Sequence, residues 1–212
     1  MEIIKGVHML ECTGRSRVYL IQGEENILID TSLPIPRLAD KIVEEVKSLG
    51  IDIKSIKHIL LTHHDVDHVG NAAALQKLTG AALWAPKEDV PYINGELKRP
   101  GVKKIVQILV KYEIPKVDKT YAHDQVIGDI AVINTPGHTP GHASFLYKNV
   151  IFTGDLFKVK NEDFKTMPKF MNYNQLLVKK SLEKIKDLEF DWVCPSHGSP
   201  IKRNDRLENL TI

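Results

Sequence analysis

The chain has 212 residues, 42% of them hydrophobic and 26% charged, with a formal net charge of +2. That length and balance suit one domain with a buried core and exclude a disordered chain. The weak positive excess gives no electrostatic case for nucleic acid or an anionic membrane as the main partner, and no run approaches the roughly 20 apolar residues of a membrane span.

In chain order, 18–22 and 26–31 read as strands turning at Gly23, with Asp30 closing the second. Residues 36–50 predict a helix, with Leu38, Ile42, Val46 and Leu49 on one face and Gly50 past its end. A buried strand, 56–62, feeds into "HHDVDH" at 63–68. A helix over 69–80 and a strand over 81–85 follow. Residues 86–120, punctuated by Pro86, Pro91, Pro100 and Pro115, read as an insertion with a helix near 102–112. Strand-like runs return at 125–135, 143–155 and 190–198, with a helix near 174–188 before the last. Hairpins mixed with strand–helix alternation predict mixed sheets with helices outside, in one domain over 1–212.

The polar clusters share one position: each follows a predicted strand. They are Asp30, the 63–68 segment, His138 and His142 in "TPGHTPGH", Asp155 in "FTGD" and His197 in "PSHG". Five of the six residues from His63 to His68 are His or Asp. In an extended segment His63, Asp65 and Asp67 face one side, with His68 entering from the next helix and His64 on the other face. Imidazoles and carboxylates gathered this closely repel or are costly to bury unless a divalent ion holds them. A solvated polar loop would suit a lone His–Asp pair. It suits this cluster less well, because further His and Asp residues stand at the other strand ends.

"THHDVDH" resembles the T-H-x-H-x-D-H metal signature of the metallo-β-lactamase-fold hydrolases, and Asp30, "PGHTPGH", "FTGD" and "PSHG" match that family's other motifs in order. The match runs from about residue 18 to residue 200. It is similar to the glyoxalase II-like branch and implies an α/β (α+β) fold, an αββα four-layer sandwich with a binuclear metal site in a cleft at one edge. The resemblance implies one ion on His63, Asp65 and His138, another on Asp67, His68 and His197, and Asp155 bridging them. Asp30 and His142 would support the site without ligating. Asp65 stands where the family usually has His, giving H-x-D-x-D-H. Zinc is the expected ion, with iron or manganese favoured further by this carboxylate.

The function implied is a metallo-hydrolase using a metal-bound hydroxide on an ester-type substrate, a thioester, lactone or related small molecule, with Asp67 also moving the proton. A glutathione thioester is not expected, because little chain follows His197 where the glyoxalase II hydrolases carry a helical extension. The alternatives are an iron-dependent oxidoreductase of the persulfide dioxygenase kind, a phosphoesterase, and a non-catalytic binding protein. No nucleic acid or membrane partner is expected. Lys5 and His8 interrupt any signal core, so the chain is expected in the cytoplasm. Lys169 and Tyr173 are candidate substrate contacts. His8, His58 and His123 read as structural or exposed, and Cys194 as a buried apolar residue. The basic residues Lys98, Arg99, Lys103, Lys104, Lys111, Lys116 and Lys119 read as a solvated face, or alternatively as a wall attracting an anionic group.

Overall fold

Period-2 alternation sorts the strand side chains into layers. In the computed structural model, which describes residues 1–121 and 125–211, Tyr19, Ile21, Ile27 and Ile29 join a core with Phe145, Val150, Phe152 and Cys194. Their neighbours Val18, Leu20 and Leu28 point the other way, toward Leu38, Ile42 and Val46. Ile151 and Val193 face a third cluster with Val178, Leu182 and Ile185. Three apolar layers require four layers of secondary structure: helix, sheet, sheet, helix.

The first sheet runs in chain order: β1 (Glu2–Ile4), β2 (Val7–Leu10), β3 (Val18–Ile21), β4 (Asn26–Ile29), β5 (Ile56–Leu60), β6 (Ala82–Pro86) and β7 (Lys119–Tyr121). Pairing is antiparallel from β1 to β4 and parallel from β4 to β7. The parallel part needs crossovers. These carry α1 (Leu38–Ser48), α2 (Val66–Val69), α3 (Ala72–Thr79), α4 (Val90–Ile93) and α5 (Lys103–Leu109).

The second sheet contains β8 (Val126–Ile127), β9 (Ile130–Asn134), β10 (Ala143–Tyr147) and β11 (Val150–Gly154). β12 (Phe157–Lys160) and β13 (Asp163–Thr166) form a separate hairpin, and α6 (Gln175–Lys186) precedes β14 (Trp192–Pro195), β15 (Ile201–Lys202) and α7 (Asp205–Glu208). The spatial order of the second sheet is β15-β14-β11-β10-β9-β8, with β11 and β14 parallel.

The expected sandwich is therefore present, with differences in detail. The run 143–155 is a hairpin turning at Lys148, whose φ is 53°. The predicted 69–80 helix is α3 over Ala72–Thr79, and a separate turn of helix, α2 over Val66–Val69, precedes it with Gly70 between them. A Cβ at Gly70 would stand 2.4 Å from the Pro34 nitrogen, so the backbones meet there and only glycine fits. The extended course through 63–67 ends at Asp65, whose carbonyl accepts from the His68 and Val69 amides. Asp67 thus takes its position from a helical turn, not from strand alternation. The β12–β13 hairpin and the β1–β2 pair have no counterpart among the predicted strands.

The parallel strands β4 and β5, and β11 and β14, present their C-terminal ends at one edge. There the Thr62 carbonyl accepts from the Ala143 amide at 2.9 Å and the Tyr19 hydroxyl donates to the Pro195 carbonyl at 2.6 Å. Both bonds tie the sheets together at the edge where the polar motifs emerge.

Candidate metal centre

The ends of the strands and the α2 turn bring His63, Asp65, Asp67, His68, His138, Asp155 and His197 together in overlapping groups. Gly154 aims Asp155 through a φ of 53°, and a Cβ there would stand 2.5 Å from His142 Nε2.

Hydrogen-bond partners fix the tautomer of each inward ring. The Thr62 hydroxyl donates to Asp30 Oδ2 at 2.8 Å, so its oxygen is left to accept from His63 Nδ1 at 2.9 Å. His68 Nδ1 donates to Asp30 Oδ2 at 2.8 Å. His138 Nδ1 donates to Asn172 Oδ1 at 3.0 Å, and His197 Nδ1 to the Arg15 carbonyl at 2.9 Å. All four rings thus turn Nε2 inward, the arrangement in which an outer partner orients a ligating imidazole. Buried His63 Nε2, His68 Nε2, Asp65 Oδ1 and Asp155 Oδ1 have no hydrogen-bond partner. Unsatisfied buried atoms of this kind are costly and call for an explanation.

The spacing supplies one. Four ligands about 2.1 Å from a tetrahedral ion lie roughly 3.4 Å apart. His197 Nε2 stands 3.3 Å from both Asp67 Oδ2 and Asp155 Oδ1, and His68 Nε2 is 3.7 and 3.5 Å from the same two atoms. In the other set, Asp65 Oδ2 is 3.4 Å from His63 Nε2 and 3.1 Å from His138 Nε2, which is 3.4 Å from Asp155 Oδ2. Asp155 thus turns one oxygen to each set. By spacing, the groups His63–Asp65–His138 and Asp67–His68–His197 could each hold a metal ion; the donor chemistry of the second fits one, whereas Lys103 stands against two donors of the first.

The carboxylates govern the titration of the rings. Asp155, against the opposing effect of burial, is the main cause that pushes His197 up to about 11. Burial alone would lower His68, but Asp30, Asp67 and Asp155 outweigh it and raise the ring to about 9. Burial, and then the charge of His68, hold His63 well below its usual value. Burial would raise Asp155, but the charges of His197 and His68 keep it well below the carboxylate range.

Asp30 and His142 lie beside the centre, each hydrogen-bonded to a residue of it. Asp30 also accepts from the Thr62 amide at 2.8 Å. His142 has both nitrogens engaged: Nδ1 donates to the Thr135 carbonyl at 3.0 Å, and Nε2 accepts from the Asp155 amide at 2.9 Å. It has no lone pair left for an ion. Burial pushes it down to about 3. His8 contacts Gln22, and His58 accepts from Trp84 Nε1; both sit apart from the centre. Cys194 is buried between the sheets. His123 lies outside the described residues.

Three sequence expectations need correction. The basic residues do not form one solvated face: Lys98, Lys104, Lys111, Lys116 and Lys119 are exposed, but Arg99 and Lys103 are buried. Arg99 Nε donates to the His64 carbonyl at 2.9 Å, and Lys103 Nζ lies 2.7 Å from Asp65 Oδ2. His64, placed on the other face, is fully buried beside the centre, its Nδ1 3.0 Å from Asp89 Oδ2 and its ring stacked on Tyr92. A cavity of about 130 Å³ opens there, lined by Lys103, His138, Phe170 and Tyr173 among others. Of the two candidate substrate contacts, Tyr173 lines this cavity and Lys169 does not.

Asp89 escaped sequence reasoning. It is buried, accepting from the His64 amide at 2.9 Å, the Thr139 hydroxyl at 2.7 Å and the Gly141 amide at 2.7 Å. It clasps the 63–68 segment to the "GHTPGH" loop. In sequence it is one of two adjacent acids after β6, and nothing marks it as buried.

The family model of the metallo-beta-lactamase superfamily matches residues 13–197, and the chain belongs to that family. It is 29% identical to the probable metallo-hydrolase YybB of Bacillus subtilis, over 89% of this chain and 83% of YybB. It is 30% identical to the hydroxyacylglutathione hydrolase GloC of Haemophilus influenzae, over 56% of each chain. The metallo-beta-lactamase family protein TTHA1429 of Thermus thermophilus shares the fold, with a TM-score of 0.74 at 22% identity, covering 98% of this chain and 79% of that one. Among the described residues no helix is long and apolar enough to cross a membrane.

Two outcomes are expected. Asp89→Ala strands three buried donors and should lower the unfolding free energy by about 3 kcal/mol; a loss under about 1 kcal/mol in chemical denaturation would show that the clasp is dispensable. At pH 7 the metal-free rings of His68 and His197, raised to about 9 and about 11, both carry a second proton. Uptake of one divalent ion on these rings should release about two protons, so apparent affinity rises roughly 100-fold per unit between pH 7 and 8. Calorimetry in buffers of differing ionisation enthalpy reads this directly, and a heat independent of buffer would contradict it. The same shifts mean that the metal-free fold is stabilised by His68 below about 6.5 and loses that contribution as pH rises through about 9.

Proposed function

We propose that the chain is a metal-dependent hydrolase of ester-type carbonyl substrates, thioesters or lactones. Its centre would use His63, Asp65, Asp67, His68, His138, Asp155 and His197. The observation that carries the reading is the set of inward Nε2 atoms facing carboxylate oxygens at ligand spacing, with buried donor atoms among them left without a partner. The relative named a hydroxyacylglutathione hydrolase supports an acyl substrate.

A divalent ion held there supplies a water of lowered pKa and polarises the substrate carbonyl. Everything else is the work of the chain. Asp30, Thr62, Asn172 and the Arg15 carbonyl hold the four rings by Nδ1 and keep Nε2 free. His142 holds the Asp155 backbone so that its two carboxylate oxygens split between the sets. Asp67 is the least buried carboxylate of the centre, its side chain 28% exposed. It is therefore placed to take a proton from the attacking water and pass it to the leaving group. The cavity wall of Pro100, Pro140, Phe170 and Tyr173 offers apolar surface to the acyl portion. Zinc suits the imidazole and carboxylate donors. The carboxylates of Asp67 and Asp155, harder donors than imidazole, favour a second reading with iron and oxidoreductase chemistry.

The test is a screen of the metal-loaded protein against an S-acyl thioester, a lactone, a phosphodiester and a persulfide. Thioester or lactone hydrolysis is expected, with kcat/KM reduced at least about 100-fold in Asp67→Ala while the circular dichroism spectrum is unchanged. Turnover of the phosphodiester alone, or oxygen uptake with persulfide by the iron form, would overturn the assignment.

A further inference from the structure

The first set of donors differs from the second in one respect: a lysine is built into it. Lys103 stands at the start of α5, whose Lys104, Ile105, Ile108 and Leu109 are exposed. Its own side chain is 8% exposed, and the ammonium lies 2.7 Å from Asp65 Oδ2 and 3.0 Å from His138 Nε2. A lysine is buried at such a place only when paired.

Lone pairs limit what this set can bind. His138 Nδ1 carries the proton it gives to Asn172, and the amide nitrogen of Asn172 donates to Gln175, which fixes that amide's orientation. His138 Nε2 therefore has one lone pair, directed into the centre. The Lys103 ammonium donates to that atom and contacts Asp65 Oδ2, two of the three donors that an ion in the first set would need. A proton and a metal ion cannot share one imidazole lone pair. A divalent ion would also sit against the ammonium, and like charges at this range repel strongly in a buried site. The second set has no such competitor: among the described residues, Asp67 and Asp155 pair only with histidines.

We propose that the Lys103 ammonium is the resident cation of the first set, so that the chain takes one divalent ion, on Asp67, His68, His197 and Asp155, and not two. Asp65 and Lys103 then form an internal ion pair in which a carboxylate replaces the family's usual imidazole and an ammonium replaces its metal. The inference rests on the metal centre proposed above and specifies its occupancy.

Metal content tests it. Wild-type protein, Lys103→Met, and Asp65→His combined with Lys103→Met are loaded with excess zinc, dialysed exhaustively and measured by elemental analysis. The double variant leaves no unpaired buried charge and restores a third imidazole, so it serves if Lys103→Met alone does not fold. One zinc per wild-type chain and two per variant chain are expected. Two zinc in the wild type, or one in both wild type and the folded variants, would overturn the proposal while leaving a metal centre in place. Zinc absent from every form would overturn the metal centre itself and the proposal with it.

Discussion

A single buried carboxylate, Asp30, organises the edge where the two sheets meet. It accepts from the Thr62 amide, the Thr62 hydroxyl and His68 Nδ1. Because the hydroxyl is spent on Asp30, its oxygen must receive His63 Nδ1, and both rings are fixed in one tautomer by one anion. Asp30 itself sits at a φ of 59°, unusual for a residue with a side chain. That conformation persists because these hydrogen bonds, with a fourth from the Ser196 hydroxyl, over-determine it. The remaining rings follow the same rule with different partners, the Arg15 carbonyl and the Asn172 amide.

Charge accounts for the rest of the centre. In the second set, carboxylates surround the His68 and His197 imidazoles, and the protein on its own balances them with protons on both rings. A cation replacing those protons relieves the same field with better geometry. In the first set the chain supplies its own positive charge. Asp65 would be raised by burial, but the Lys103 ammonium beside it holds it well below the carboxylate range. The two halves thus meet one problem, buried negative charge, in two ways.

Much of this is legible in the sequence because it depends on local order. Alternation in "VYLIQ" and "NILIDT" marks strands whose faces point into separate cores. Each motif sits at a strand end, and strand ends share an edge in a sandwich. The features that escape sequence reading depend on contacts far apart in the chain. Lys103 meets Asp65 only because α5 folds back over the centre, and its own helix reads as an ordinary basic and apolar segment. Asp89 is one acid of a pair, and only the loop at Thr139 and Gly141 makes it buried. The β12–β13 hairpin turns through Asn161 and Glu162, both at positive φ. Glutamate is an uncommon residue there, so the usual turn signal is missing. The extended reading of 63–67 fails because the Asp65 carbonyl starts a helical turn that strand alternation does not anticipate.

A metal ion held among Asp67, His68, His197 and Asp155 is the central claim. The most direct measurement is an anomalous difference map at the zinc edge from crystals of the zinc-loaded protein. It should show a peak bounded by His68 Nε2, His197 Nε2, Asp67 Oδ2 and Asp155 Oδ1. Zinc bound only elsewhere, with these four atoms hydrogen-bonded to one another or to water, would contradict it.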